Sequence, residues 1–332
     1  MLGLSAVSGD GRKAVRARVA PVATAPRATT VKRAPATTPA RAVHRAPVRA
    51  RRVRRPARRS FAVGLQSVRL VDPSRTISTS GGVVPRAFET VVRYPIAGGV
   101  GRRAGPFPLV VFGHGFAVSP APYALLLDAW TRAGYVVAAP VFPLENGSAP
   151  GGPNERDLVN QPGDMSLVIS SLISASEGRA GRLAGLIDPA RVVVAGQSDG
   201  GDTALAAAYD PSVRDRRVRA AVILSGAEDP FAAAFRMPRT GPALLAVQGT
   251  ADTINPPAST YLFYGEAGSP KVLLKLIGAG HQPPYTEPGP ELTAVERTTT
   301  AFLDDVCKGE TARLRGLLAV GGAGGGSVLS AG

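Results

Sequence analysis

From about residue 61 the chain alternates short apolar runs of Val, Ile, Leu and Ala with longer stretches whose apolar positions recur at helical spacing. The runs Ser67–Val71, Phe88–Tyr94, Leu109–Phe112, Tyr135–Pro140, Arg191–Ala195, Ala220–Leu224, Leu244–Gln248 and Val272–Ile277 predict strands. The stretches Pro122–Ala133, Asp164–Ser176, Gly201–Tyr209, Pro257–Tyr264 and Glu291–Val306 predict helices, bounded by Gly and Pro. The later strands are continuously apolar rather than alternating, as expected of strands covered on both faces. Strand followed by helix, repeated, predicts an α/β domain with a mostly parallel sheet of about eight strands and helices on both sides. The first two strands have no helix between them and predict an antiparallel start.

The ends differ from this body. Of the 39 Lys and Arg in the 332 residues, 16 lie in residues 1–60 beside one acid, Asp10, so the formal charge of +15 belongs to that leader and the remainder is neutral. The leader is Ala, Arg, Pro, Val and Thr, with His44 as its one ring-bearing side chain other than proline, and too few large apolar groups to offset the entropy of ordering. It is expected to be disordered. Three readings fit its run Arg49–Arg55: an arm for nucleic acid or anionic membranes, an organelle transit peptide, or a solvated leader. The last is preferred because charge runs are most often solvated tails; no specific nucleic-acid partner is expected, although the tail can bind anions weakly. Residues 61–318 are expected to form one domain, and the glycine-rich 319–332 a flexible tail.

Exclusions are simple. The single cysteine, Cys307, excludes an intramolecular disulfide and a thiolate metal cluster. No run of about 18 apolar residues occurs, so no membrane-spanning helix is expected. Gly98-Gly99-Val100-Gly101 opens no helix and is read as a turn, not a phosphate loop. Neither a metal nor an organic cofactor is expected.

The motif that carries chemistry is Gly196-Gln197-Ser198-Asp199-Gly200. It joins a buried-strand run to a helix start, and a strand–turn–helix of this kind lifts the serine hydroxyl above the strand ends. Serine needs a base. Of three histidines, His44 lies in the leader and His114 ends an early strand, which leaves His281, in the loop after the last expected strand. Loops there emerge at the carboxyl ends of the strands, where α/β sheets bind ligands. Asp252, after the penultimate strand, is the candidate acid that orients His281, with Asp229, one strand earlier, as its competitor. The order Ser198, Asp252, His281 is that of one hydrolase architecture.

With Phe112-Gly113-His114-Gly115-Phe116, the Ser198 turn, Asp252-Thr253-Ile254-Asn255-Pro256 and Gly280-His281 in place, residues 61–310 resemble an α/β-hydrolase of the esterase/lipase group. They are similar to bacterial proteins related to dienelactone hydrolases, platelet-activating-factor acetylhydrolases, chlorophyllases and cutinase-like polyester hydrolases. The resemblance implies a serine esterase acting on small or polymeric carboxylic esters, with an oxyanion hole formed by the backbone N–H groups of Phe116 and Asp199. It departs from dienelactone hydrolases, whose nucleophile is a cysteine, and from cutinase-like enzymes, which carry a C-terminal disulfide. Asp199 beside the nucleophile suggests a preference for neutral esters. Phe116 and Phe142 are candidate substrate contacts, with core packing as the alternative for each. Gly226–Gly241 is too short for a lid domain, and the longer Leu144–Gly163 excursion is expected to line the site. The rival functions are a non-catalytic binding protein tethered by its basic tail, and a thioesterase or peptidase with the same three residues. Met1 as true start implies a cytoplasmic protein; export, common among such relatives, is the alternative.

Overall fold

Alternate side chains of each central strand enter two different apolar layers, and this explains why the strands read as unbroken hydrophobic runs. Val110 and Phe112 point into one layer and Leu109 and Val111 into the other; Val193 and Ala195 are likewise opposed to Val192 and Val194. The computed structural model describes residues 60–79, 81–96, 105–178, 180–228 and 235–332. The expectations for the leader and for the Gly98–Gly101 turn therefore lie outside the described residues, apart from Ser60.

The sheet has nine strands: β1 (Ala62–Thr79), β2 (Gly82–Ile96), β3 (Phe107–Gly113), β4 (Val136–Pro140), β5 (Ile187–Gln197), β6 (Val218–Leu224), β7 (Ala243–Gly249), β8 (Lys271–Leu276) and β9 (Ser327–Ala331). Their spatial order is β1-β2-β4-β3-β5-β6-β7-β8-β9. The strands from β4 through β8 pair in parallel, while β1, β2 and β9 run antiparallel to their neighbours. Helices α1 (Ala124–Arg132), α6 (Pro290–Lys308) and α7 (Thr311–Ala319) bury Trp130, Phe302 and Leu317 against one face; α2 (Gln161–Glu177), α3 (Asp199–Tyr209) and α4 (Pro257–Glu266) bury Met165, Leu205 and Phe263 against the other. The short α5 (Pro283–Thr286) follows the His281 loop. Among the described residues no helix is long and apolar enough to cross a membrane.

One expectation fails at the carboxyl end. The glycine-rich segment is a turn and a ninth strand, not a flexible tail. Gly324, Gly325 and Gly326 adopt positive φ and reverse the chain after α7, so that Leu274 pairs with Leu329, which is buried in the same layer as α6. The folded unit therefore extends past 318 through Ala331.

The hairpin β1–β2 is fastened to the rest by charge. The Arg86 guanidinium, 1% exposed, donates to both oxygens of Asp164 at 2.7 and 2.6 Å and to both of Asp157 at 2.8 and 2.7 Å; Arg75 adds a 2.8 Å bond to Asp164. Asp157 sits in the 3-10 turn Glu155–Asn160, so this cluster also anchors the 144–163 excursion. Removing Asp164 leaves the buried Arg86 Nε–H without an acceptor and the cluster short of one negative charge. Asp164→Ala is expected to destabilise the fold by about 3–5 kcal/mol in urea titration, and a loss under about 1 kcal/mol would contradict this role.

Candidate active site

Sterics at the end of β5 shape the site first. A Cβ on Gly196 would lie 1.9 Å from the Gly200 carbonyl oxygen, and one on Gly200 2.2 Å from that of Gly113. Only glycine permits strand β5, strand β3 and helix α3 to meet so closely. Between them Ser198 is forced to φ 55°, a conformation that costs a non-glycine residue about 1–3 kcal/mol. Its N–H is tied to the Leu224 carbonyl at 3.0 Å, and its own carbonyl accepts the N–H groups of Gly201 and Asp202 at 2.6 and 3.0 Å. The side chain projects beyond the strand ends, 7% exposed at the residue level.

The structure brings Ser198, His281 and Asp252 together. Ser198 Oγ lies 2.9 Å from His281 Nε2, and His281 Nδ1 lies 2.8 Å from Asp252 Oδ2. A carboxylate only accepts, so Nδ1 carries the proton and Nε2 faces the serine hydroxyl as an acceptor. The Asp252 side chain is fully buried, and its Oδ1 accepts the N–H groups of Ile254 and Asn255, each at 3.0 Å. The competing Asp229 lies outside the described residues.

Partners with no sequence signature hold this arrangement. Gln197 accepts from the Tyr123 hydroxyl at 2.7 Å and donates to the His281 carbonyl at 3.2 Å, which ties the histidine loop to the serine turn. Gln248 donates to Asp252 Oδ2 at 3.3 Å and is itself fixed by Thr260 at 2.7 Å. The Gln197 contacts cross from one strand end to other elements, and Gln248 reaches Asp252 only four positions on, with no motif to mark either residue.

The segment His114–Phe116 lies against the serine turn: a Cβ on Gly115 would be 3.1 Å from Ser198 Cβ. His114 is a brace. Its Nδ1–H donates to the Gly115 carbonyl at 2.9 Å, and its Nε2 accepts from the Phe142 N–H at 3.0 Å. Burial lowers its pKa to about 4, so it is neutral across the physiological range. On either side of Phe116, the Gly115 N–H contacts the Tyr123 hydroxyl at 3.4 Å and the Ala117 N–H donates to the Glu145 carbonyl at 3.0 Å. The Phe116 amide thus sits between two tethered neighbours, and the Asp199 amide opens α3, where a helix offers no internal acceptor.

Phe142 is fully buried, its ring 4.9 Å from that of His114, which favours the core-packing alternative for it. Phe116 is 43% exposed. Asp199 does not face open solvent either; it is 8% exposed, with Oδ1 3.3 Å from Ser198 Oγ. The 144–163 excursion backs the Phe116 segment through Glu145 and through the Gly147 N–H to Val118 carbonyl bond at 3.1 Å. The described parts of 226–241 carry no helix. Among the described residues no cluster of His, Cys, Asp or Glu is arranged to hold a metal.

Chemically, a hydroxyl hydrogen-bonded to an imidazole whose far nitrogen is held by a buried carboxylate is a route for moving one proton off oxygen. No curated protein matches the chain. The family model for chlorophyllase matches residues 93–259, a span from β2 into α4 that includes Ser198 and Asp252 and stops short of His281. By that match and by its mostly parallel sheet flanked on both sides by helices, the chain belongs to the chlorophyllase family, within the α/β-hydrolase superfamily of esterases.

Proposed function

We propose that the protein is a serine esterase that cleaves accessible, neutral carboxylic esters through an acyl-enzyme. The reading is carried by the continuous hydrogen-bond line Ser198 Oγ, His281 Nε2, His281 Nδ1, Asp252 Oδ2, with spacings of 2.9 and 2.8 Å. His281 Nε2 takes the hydroxyl proton as Ser198 Oγ bonds to the ester carbonyl carbon. Asp252 stabilises the imidazolium. The carbonyl oxygen gains negative charge, which the N–H groups of Phe116 and Asp199 receive, each such donor typically contributing about 3 kcal/mol. Collapse breaks the bond to the alcohol, which leaves with the proton from Nε2. Water then gives a proton to His281 and attacks the acyl carbon, restoring the serine.

Asp199, with its carboxylate beside the nucleophile, favours uncharged substrates over carboxylate-bearing ones. The test is a panel of p-nitrophenyl acetate and butyrate, a carboxylate-bearing analogue, a thioester and an anilide, each run with the wild type and Ser198→Ala. Neutral esters are expected to turn over fastest and only in the wild type. Equal rates for the two proteins remove the esterase reading; faster turnover of the anionic ester, the thioester or the anilide overturns the substrate preference.

A further inference from the structure

Beside the serine lie two carboxyl groups that this cycle leaves unused. Glu145, on the loop after β4, is completely buried, and Asp199 nearly so. Glu145 Oε2 accepts a short hydrogen bond from Gln161 Nε2, and the orientation of that amide is set by Thr203, whose hydroxyl donates to Gln161 Oε1 at 2.6 Å. Asp199 Oδ1 is the atom 3.3 Å from Ser198 Oγ. What remains is one oxygen on each residue, Glu145 Oε1 and Asp199 Oδ2, both buried and both without a hydrogen-bond donor. The two carboxyl groups are within hydrogen-bonding reach of each other. Two buried acceptors in contact repel if both groups are ionised, and one proton between them satisfies both.

We infer that Glu145 and Asp199 share a single proton, donated by Glu145, and that Glu145 is thereby a positioning residue for the Ser198 hydroxyl. The inference rests on Ser198 being the nucleophile. The serine has one hydrogen and two acceptors, His281 Nε2 at 2.9 Å and Asp199 Oδ1 at 3.3 Å. A proton on the far side of Asp199 draws charge away from Oδ1 and leaves the serine hydrogen to the imidazole. Loss of that proton concentrates charge on Asp199, strengthens its hold on the serine, and places a second negative charge beside the carbonyl oxygen that must itself become negative.

The surroundings favour the shared proton. Burial, and after it the Asp199 carboxyl, raises the Glu145 pKa far above the usual carboxylate range. Among the described residues, the side chains that act on Glu145 include no cation. Asp157, from the 3-10 turn before α2, adds negative charge on Glu145 and is itself held by Arg86. Tyr123, from the turn before α1, is kept neutral by burial, with the charge of Asp199 adding to that effect. Gln161 and Thr203 are neutral, and the ring nitrogens of His281 bond Ser198 and Asp252. The sign follows: activity is supported while Glu145 is protonated and declines on the alkaline side as it ionises.

Glu145→Gln mimics the protonated form, its amide oxygen accepting from Gln161 and its NH2 donating to Asp199, and it cannot ionise. It is expected to keep kcat for p-nitrophenyl butyrate at neutral pH within about threefold of wild type and to lose the alkaline decline, whereas Glu145→Ala falls by about tenfold or more at every pH. In infrared spectra at pH 7 the wild type and Ser198→Ala are expected to show a protonated-carboxyl C=O band that Glu145→Gln lacks. A band unchanged by Glu145→Gln, or an alkaline decline of the same midpoint in Glu145→Gln and wild type, overturns the inference. Hydrolysis as fast in Ser198→Ala as in wild type overturns the esterase reading instead, and the infrared band then still decides whether the proton is shared.

Discussion

Ser198→Ala is expected to lower kcat for p-nitrophenyl butyrate by about 10⁶-fold, with the circular-dichroism spectrum of the folded protein unchanged. The size of the loss follows from the role: without Oγ no covalent intermediate forms, and only transition-state binding by the amides near Phe116 and Asp199 persists. Because the hydroxyl and the imidazole act as one unit, at 2.9 Å, adding His281→Ala to Ser198→Ala is expected to cost almost nothing further. A single substitution at Ser198 that leaves more than about a tenth of the wild-type rate contradicts the assigned nucleophile.

Asp252→Asn is the second large effect, and its mechanism is visible in the hydrogen bonds. Oδ1 of Asp252 accepts two backbone N–H groups, from Ile254 and Asn255, so an asparagine keeps its carbonyl oxygen there and turns its NH2 toward His281. His281 Nδ1 must then accept, and the ring proton moves to Nε2, where it faces Ser198 as a donor. A base that already holds its proton cannot take another. The expected loss is about 10³- to 10⁴-fold in kcat, with KM little changed and the fold intact. A loss smaller than about tenfold would mean that Asp252 does not set the tautomer.

The strands were readable because burial on both faces writes an unbroken apolar run, and all eight expected strands are present. The ninth was not. Ser327–Ala331 places a single large side chain, Leu329, in the core, and the glycines that turn the chain toward the sheet edge look in sequence like those of a linker. Helix α7 was missed for a related reason: Gly309, with φ 69°, ends α6 three residues after Val306, and the nine residues of Thr311–Ala319 bury only Leu314 and Leu317. At the site, the serine turn was legible because its glycines answer a local steric demand, and His281 because few histidines compete with it. Gln197, Tyr123 and Glu145 were not, since each acts across the fold, and Gln248 was not because a glutamine four residues before an aspartate carries no motif. Glu145 and Asp199 stand 54 positions apart, one in the loop after β4 and the other opening α3, so no local pattern pairs them. The role of Phe142 stayed open between cleft and core because an aromatic residue following a strand has the same sequence appearance whether it faces the cleft or braces a buried histidine.

The most direct measurement is covalent labelling of the nucleophile. Incubation of the full chain with a fluorophosphonate, followed by peptide mass spectrometry, is predicted to give one adduct per molecule, on Ser198, with loss of esterase activity in step with labelling and much slower labelling in His281→Ala. An adduct on another residue, or none under conditions where the chain hydrolyses p-nitrophenyl butyrate, would contradict the account.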